Sequence, residues 1–261
     1  MGERVLSVMP AWTAAMRDYQ REPFTRPGVM AELQAALATL GKHFGLNAPG
    51  GHGVASDSLI TWFKRIGFTS DPDFVRAMQA HAGSNVLKGR LWRLYTLCWA
   101  ARSCLALAGD FLDLGVYNGK AIDVVRRYCG DIGARRWHLY DAFDHHPAEP
   151  SKGGHGPELC GKVRAMFADD PRFEIVPGLL PATLDLSGPV AFVQVDLNHA
   201  EAEIACLERV WPHLVPGAMV VLDDYGFERY RASYEAERAF FAERGHGVLE
   251  LPTGQGLVVR R

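Results

Sequence analysis

The stretch Phe111-Leu-Asp-Leu-Gly-Val-Tyr-Asn-Gly119 decides the fold. A short apolar run enters a turn with glycines at 115 and 119, and Ala121–Tyr128 beyond it carries helical spacing. A strand that feeds a glycine turn and then a helix opens a βαβ unit. The pattern repeats downstream. Apolar runs at Trp137–Tyr140, Phe173–Val176, Val190–Val195 and Met219–Leu222 alternate with helical patterns at 157–167 and 200–214. Val190–Val195 is apolar except for Gln194, as a strand covered on both faces should be. A last helix over 232–244 ends at Gly245, and Val248–Leu251 and Leu257–Arg260 flank Pro252-Thr-Gly-Gln-Gly256 as a hairpin. The expected fold is α/β: a doubly wound, mostly parallel seven-stranded sheet with an antiparallel last strand.

Upstream the periodicity changes. Val29–Phe44, Asp57–Ile66, Asp71–His81 and Leu87–Ala108 place apolar residues at three- and four-residue spacing and read as helices. Asp57 and Asp71 are suited to N-cap them. Residues 47–53 read as a loop, and Gly109 as a helix stop. The expected division is an N-terminal helical region, 1–108, and a ligand-binding α/β domain, 109–261. The helical region would supply a substrate wall, a lid or homo-oligomer contacts.

Composition excludes several classes. A formal net charge of −2 gives no electrostatic footprint for nucleic acid or an acidic membrane surface. The most apolar long stretch, Leu94–Leu114, is interrupted by Arg102, Asp110 and Asp113 and is not a membrane span. Met1–Pro10 lacks the basic and apolar regions of a signal peptide, and Leu6 stands where a myristoylation motif wants Ser or Thr. The five cysteines, Cys98, Cys104, Cys129, Cys160 and Cys206, form no C-x-x-C pair and read as free thiols of a cytoplasmic protein. The histidine-bearing loop around His145, His146 and His155 lacks zinc-ligand spacing.

The turn at 115–119 lacks the G-x-G-x-x-G spacing of dinucleotide binders, whose glycines admit a pyrophosphate. S-adenosylmethionine has no phosphate. Gly115 and Gly119 would let the backbone pass close to its amino-acid end, with Tyr117 between them. The helix N-terminus would favour its carboxylate, and Asp113 its ammonium group. Asp141, ending the next strand, would accept both ribose hydroxyls. Phe143 could cover the adenine, and Gly178, in the turn Pro177-Gly-Leu-Leu-Pro181, would lie beside it. The alternative is that these are turn glycines and a solvated strand-end cap.

The fourth and fifth parallel strands end in acid: Val195-Asp-Leu-Asn-His199 and Val221-Leu-Asp-Asp-Tyr-Gly226. One helix separates them, so the strand ends should be neighbours. Three carboxylates brought together raise one another's pKa unless they are held apart or a cation sits among them. Asp196, Asp223 and Asp224 would hold a hard ion such as Mg²⁺, or else serve partly as caps. In a flat strand Asp223 and Asp224 point opposite ways, so both can face one ion only if the chain turns there. His199 is the candidate general base by its place beside Asp196.

At these residues the chain resembles the macrocin O-methyltransferase family, from about Gly89 to Arg261. The matching stretches are 109–119, Tyr-Asp-Ala-Phe-Asp (140–144), Leu-Glu-Arg-Val-Trp-Pro-His-Leu-Val-Pro-Gly (207–217) and Asp-Asp-Tyr-Gly (223–226). The resemblance implies S-adenosylmethionine, a magnesium-assisted mechanism with ligands Asp196, Asp223 and Asp224, and a small-molecule hydroxyl acceptor, a sugar or other natural product. The layout is also similar to catechol O-methyltransferase. One departure stands out: members commonly have Asp-Gly-Asp-Leu-Tyr where this chain has Asp196-Leu-Asn-His-Ala200, so Asn198 replaces the second acid. Two other readings stay open: a non-catalytic binding module on this fold, and a different metal-dependent tailoring enzyme.

Overall fold

A computed structural model describes residues 29–44, 53–143, 156 and 158–261. The expectations at Met1–Pro10, at 47–52 and for His145, His146 and His155 lie outside the described residues. The described chain falls into two compact units, one of residues up to 55 with 60–64, the other of 56–59 with 65–261.

The first unit holds α1 (Val29–Phe44), the helix expected from periodicity, and most of a two-stranded sheet, β1 (Gly53–Ser56) and β2 (Leu59–Trp62). That sheet corrects the helix expected at Asp57–Ile66. Asp57 and Ser58 both have φ 57°, the left-handed pair a two-residue hairpin turn requires. Ile60, Thr61 and Trp62 after them are β-branched or aromatic, which favours a strand.

In the second unit, α2 (Pro72–Gln79) is capped by Asp71, whose side chain accepts from the Asp73 and Phe74 amides. The long helix expected over Leu87–Ala108 is two: α3 (Asn85–Lys88) and α4 (Leu91–Cys104), broken at Gly89-Arg90. Asp57 does cap a helix, but a distant one. Its carboxylate accepts from the Trp92 amide at 2.8 Å and the Arg93 amide at 3.1 Å, and the Ser56 hydroxyl from the Leu91 amide at 3.0 Å. Three N-terminal donors of α4 are thus satisfied from the hairpin turn.

The seven-stranded sheet follows: β3 (Asp110–Leu114), β4 (Trp137–Asp141), β5 (Phe173–Pro177), β6 (Val190–Val195), β7 (Leu214–Leu222), β8 (Leu249–Glu250) and β9 (Gly256–Val259). Their spatial order is β5-β4-β3-β6-β7-β9-β8, with the first five parallel and β9 antiparallel to β7 and β8. The doubly wound sheet with an antiparallel end is the one expected. Helices α5 (Lys120–Cys129), α6 (Leu159–Phe167), α7 (Ala200–Val210) and α8 (Arg231–Glu243) connect the strands. α7 stops short of the expected Leu214 because Pro212 follows in a tight turn and has no N–H to donate.

Alternate strand residues enter opposite cores. Phe111, Trp137 and Phe192 pack with Leu94 and Leu97 of α4, Val125 of α5 and Phe167 of α6. Leu112, Val193 and Val220 pack with Leu207 of α7 and Phe241 of α8. The α4 helix that the sequence assigns to a separate helical region therefore shares a core with the sheet. All five cysteines are free thiols. Among the described residues no helix is long and apolar enough to cross a membrane.

Candidate active site

The ladder continues one residue past each strand and lines up the carboxyl ends. Gly178 N–H donates to Asp141 O, Gly115 N–H to Tyr140 O, Asp196 N–H to Leu114 O and Asp223 N–H to Val195 O, all at 2.8–2.9 Å. Gly178, Asp141, Gly115, Asp196 and Asp223 thus stand along one rim, at the edge where open α/β sheets hold ligands.

Gly115 has a reason of its own. Its φ is +104°, and a Cβ there would sit 2.1 Å from the Asp196 carbonyl oxygen. The glycine lets the ends of β3 and β6 touch. Gly119, at φ +71°, stands at the start of α5, and a Cβ would press on the Phe167 ring at 3.1 Å. Gly178, at φ +141°, lies against Thr183, whose methyl carbon would be 2.3 Å from a Cβ. Tyr117 is 39% exposed. Each Asp141 oxygen accepts one backbone amide at 2.6 Å, one from Tyr117 and one from Phe143. A carboxylate oxygen has two acceptor sites, so each keeps one for a ligand hydroxyl.

Asp113 and Phe143 are placed differently from the expectation. Asp113 has no exposed surface, and its Oδ2 accepts from the Trp137 indole at 2.5 Å. Phe143 is 1% exposed and lies in the core. Neither offers surface to an ammonium group or an adenine in this conformation. Burial lifts the Asp113 carboxyl to about 7, against the Trp137 bond and with help from the charge of Asp223. The unfolded chain ionises Asp113 near 4 and the folded chain near 7, so the folded state holds the extra proton between. Stability is therefore lost as pH rises from about 4 to about 7. Asp113→Asn keeps an acceptor for the indole and should raise stability on the order of 3 kcal/mol at pH 8, with little change at pH 4. Denaturant melts at the two pH values check this; an equal effect at both would refute it.

The acidic residues converge as the sequence suggests. One oxygen from each of Asp196, Asp223 and Asp224 lies within 4.8 Å of the others. β7 ends at Leu222, and residues 223–226 turn, so the adjacent aspartates face one point. The sequence reading missed their counter-ion. Arg93 of α4, 6% exposed, pairs with Asp223 and with Asp224 Oδ1 at 2.7 Å, and donates to the Asp223 carbonyl at 2.8 Å. Its signal was a lone charge in the apolar run Leu91–Leu97. Gln255 Nε2 also holds Asp223 Oδ1, at 3.0 Å, and Asn198 Nδ2 holds Asp196 Oδ1, at 3.1 Å. Burial, then the charges of Asp223 and Asp224, push Asp196 well above the ordinary carboxyl range; burial and Asp223 raise Asp224. Three carboxylates and one guanidinium leave two negative charges, which a hard divalent ion would neutralise through oxygen donors of the kind it takes. The donor set fits such an ion.

His199 is exposed and N-caps α7, its Nδ1 accepting from the Ala202 amide at 3.4 Å. The structure gives it a capping position rather than a place in the carboxylate cluster.

Residues 112–225 match the family described as a methyltransferase domain. That match covers less than half of the chain. The matched range contains the glycine turn, Asp141 and all three clustered aspartates. A relative from Streptomyces olivaceus, 8-demethyl-8-(2,3-dimethoxy-alpha-L-rhamnosyl)-tetracenomycin-C 4'-O-methyltransferase, is 28% identical over 166 residues, covering 54% of this chain and 63% of that protein. The chain thus spans less than two thirds of that relative. Among solved structures, the O-methyltransferase NovP superposes with TM-score 0.57 at 18% identity, over 66% of this chain and 81% of NovP. The calicheamicin methyltransferase CalS11 does so with TM-score 0.54 at 17% identity, over 73% and 92%. A Bacillus cereus O-methyltransferase in complex with SAH gives TM-score 0.52 at 15% identity, over 74% and 96%. These likenesses show the fold alone. The proteins named are methyltransferases, most of them by title O-methyltransferases, in line with the sequence resemblance.

Proposed function

We propose that the chain transfers a methyl group from S-adenosylmethionine to a hydroxyl of a small molecule, assisted by a divalent cation at Asp196, Asp223 and Asp224. The observation that carries this reading is the shared rim: Gly115, Asp141 and the three clustered aspartates lie side by side at the carboxyl ends of adjacent strands. The relative's name, a 4'-O-methyltransferase of a rhamnosylated tetracenomycin, supports a sugar-bearing or similar natural product as acceptor.

Gly115, Tyr117, Asp141 and Gly178 form the part of the rim open to a nucleoside. Asp141 fixes the Tyr117 and Phe143 amides and presents its remaining acceptors to a ribose. S-adenosylmethionine supplies an electrophilic methyl on a sulfonium. A divalent ion supplies Lewis acidity toward a hydroxyl. Asn198 and Gln255 hold Asp196 and Asp223 in place, and Arg93 keeps the cluster from repelling itself apart. Asn198 stands where members of the macrocin family commonly have a second acid, and His199 caps α7, so a hard cation held by Asp196, Asp223 and Asp224 would be the group that supplies acidity to the hydroxyl.

Calorimetric titration with S-adenosylmethionine tests the reading. Binding in the micromolar range is expected, and Asp141→Ala should weaken it by about 1–3 kcal/mol through lost hydrogen bonds. Absence of binding by the wild type sinks the proposal; unchanged affinity in the variant removes Asp141 from the site.

A further inference from the structure

Helix α4 lies against the sheet with its first turn at the rim. Arg93 of that turn meets Asp223 and Asp224 at the end of β7, while Leu107, past the last turn, lies beside Gly217 near the start of β7. Leu94, Leu97, Ala101 and Cys104 form the stripe of α4 that faces the core. Residues three and four apart share a helix face. Arg90, four residues before Leu94 and at the N-cap, therefore continues the stripe past the strand ends. A sheet beneath it would bury it; Arg90 is exposed. Among the described residues its guanidinium has no hydrogen-bond or ion-pair partner. Its charge still reaches the cluster: burial and neighbouring carboxylates raise Asp196 and Asp224, and Arg90 works against that rise at both.

Arg93 and one divalent ion together balance Asp196, Asp223 and Asp224. Arg90 is then a surplus positive charge overhanging a neutral cluster, and a guanidinium in that position suits a carboxylate or phosphate. The order of the rim indicates which anion comes there. With a ribose at Asp141, the amino-acid arm of S-adenosylmethionine would run across the ends of β3 and β6. Strand spacing puts the end of β6 roughly 10 Å from the end of β4. The arm from ribose ring to carboxylate has the bonds of two extended residues and covers roughly 7 Å. It would pass Gly115 and end short of Asp196, where an arginine overhanging the rim can reach it. The glycine turn, where the sequence places that carboxylate, has few amides left to offer. Those of Gly115, Tyr117, Gly119 and Lys120 are engaged by the Tyr140 carbonyl, the Asp141 carboxylate, the Val116 carbonyl and Asn118 Oδ1.

We propose that Arg90 is a cofactor-binding residue, its guanidinium pairing with the carboxylate on the amino-acid arm of S-adenosylmethionine. The inference rests on the proposed cofactor and adds to it a residue on α4, outside the glycine turn. Its test reads binding and needs no turnover.

The test is calorimetric titration of the full chain, in buffer containing Mg²⁺, with S-adenosylmethionine and with its decarboxylated form, which lacks only the carboxylate. Wild type should bind S-adenosylmethionine about tenfold more tightly than the decarboxylated form, the factor one charge-assisted contact supplies. R90M should bring the two ligands to within about twofold, through weaker binding of S-adenosylmethionine alone. Its melting temperature without ligand should stay within about 2 °C of wild type, because an exposed side chain without a partner is removed. A wild type that binds both forms alike overturns the proposal. So does a preference that survives in R90M, which would leave Arg90 for an anionic group on the acceptor. Equal weakening of both ligands in R90M also overturns it, since the loss would then not follow the carboxylate. The two readings fail separately: a wild type that binds neither form sinks the proposed function, and one that binds S-adenosylmethionine as tightly as R90M does sinks this inference alone.

Discussion

Asp196→Asn should lower methyl transfer by about 10³-fold while S-adenosylmethionine affinity stays within about twofold. The magnitude follows from losing several kcal/mol of charge stabilisation at the reacting oxygen. The variant should fold. Asp196 is pushed up by burial and by Asp223 and Asp224, so its charged form is unfavourable in the absence of a cation, and an amide relieves that cost. The Asn198 contact to Asp196 can be retained through an amide oxygen. Mn²⁺ binding, followed by titration, should fall in parallel with turnover, and a chelator should reduce wild-type activity to the level of the variant. Activity within tenfold of wild type, or full wild-type activity in excess chelator, would remove the cation from the mechanism.

Arg93→Met should cost about 3–5 kcal/mol of stability. Removing one partner of a buried ion pair leaves the other charges without compensation, and here one guanidinium serves both Asp223 and Asp224. Methionine keeps most of the side-chain volume, so the loss reports charge rather than a cavity. For a chain of this size the melting temperature should fall by about 10 °C. Divalent cation should recover a large part of that fall, because an ion in the cluster replaces the missing positive charge. Mg²⁺ should therefore raise the melting temperature of the variant more than that of wild type. A variant that melts within about 2 °C of wild type, with no extra response to Mg²⁺, would show that Arg93 does not hold the cluster together.

Much of the α/β half was legible because its signals are local. An apolar run buried on both faces, a glycine turn and an amphipathic helix each announce themselves within a few residues. Parallel strands joined by single helices then leave few arrangements, so strand-end residues such as Gly115, Asp141, Asp196 and Asp223 fall on one rim. The segment Asp57–Ile66 was read with the wrong period. Five apolar residues in so short a window satisfy a helical stripe, and two left-handed turn residues, Asp57 and Ser58, decided for a hairpin. Asp57 was recognised as a cap but not for the helix it caps, since the Trp92 and Arg93 amides are remote in sequence.

The sequence by itself determined the sheet, its antiparallel end and the residue types available at the strand ends, because those depend on periodicity and on turn chemistry. Tertiary structure alone decided how those residues are used. Burial closed off Asp113 behind the Trp137 indole and put Phe143 into the core, and neither event leaves a mark in local spacing. Helix α4 brought Arg93 across to the carboxylates. Charge interactions and desolvation depend on distance in space, and that distance is fixed only when helices far apart in the chain pack on the same sheet.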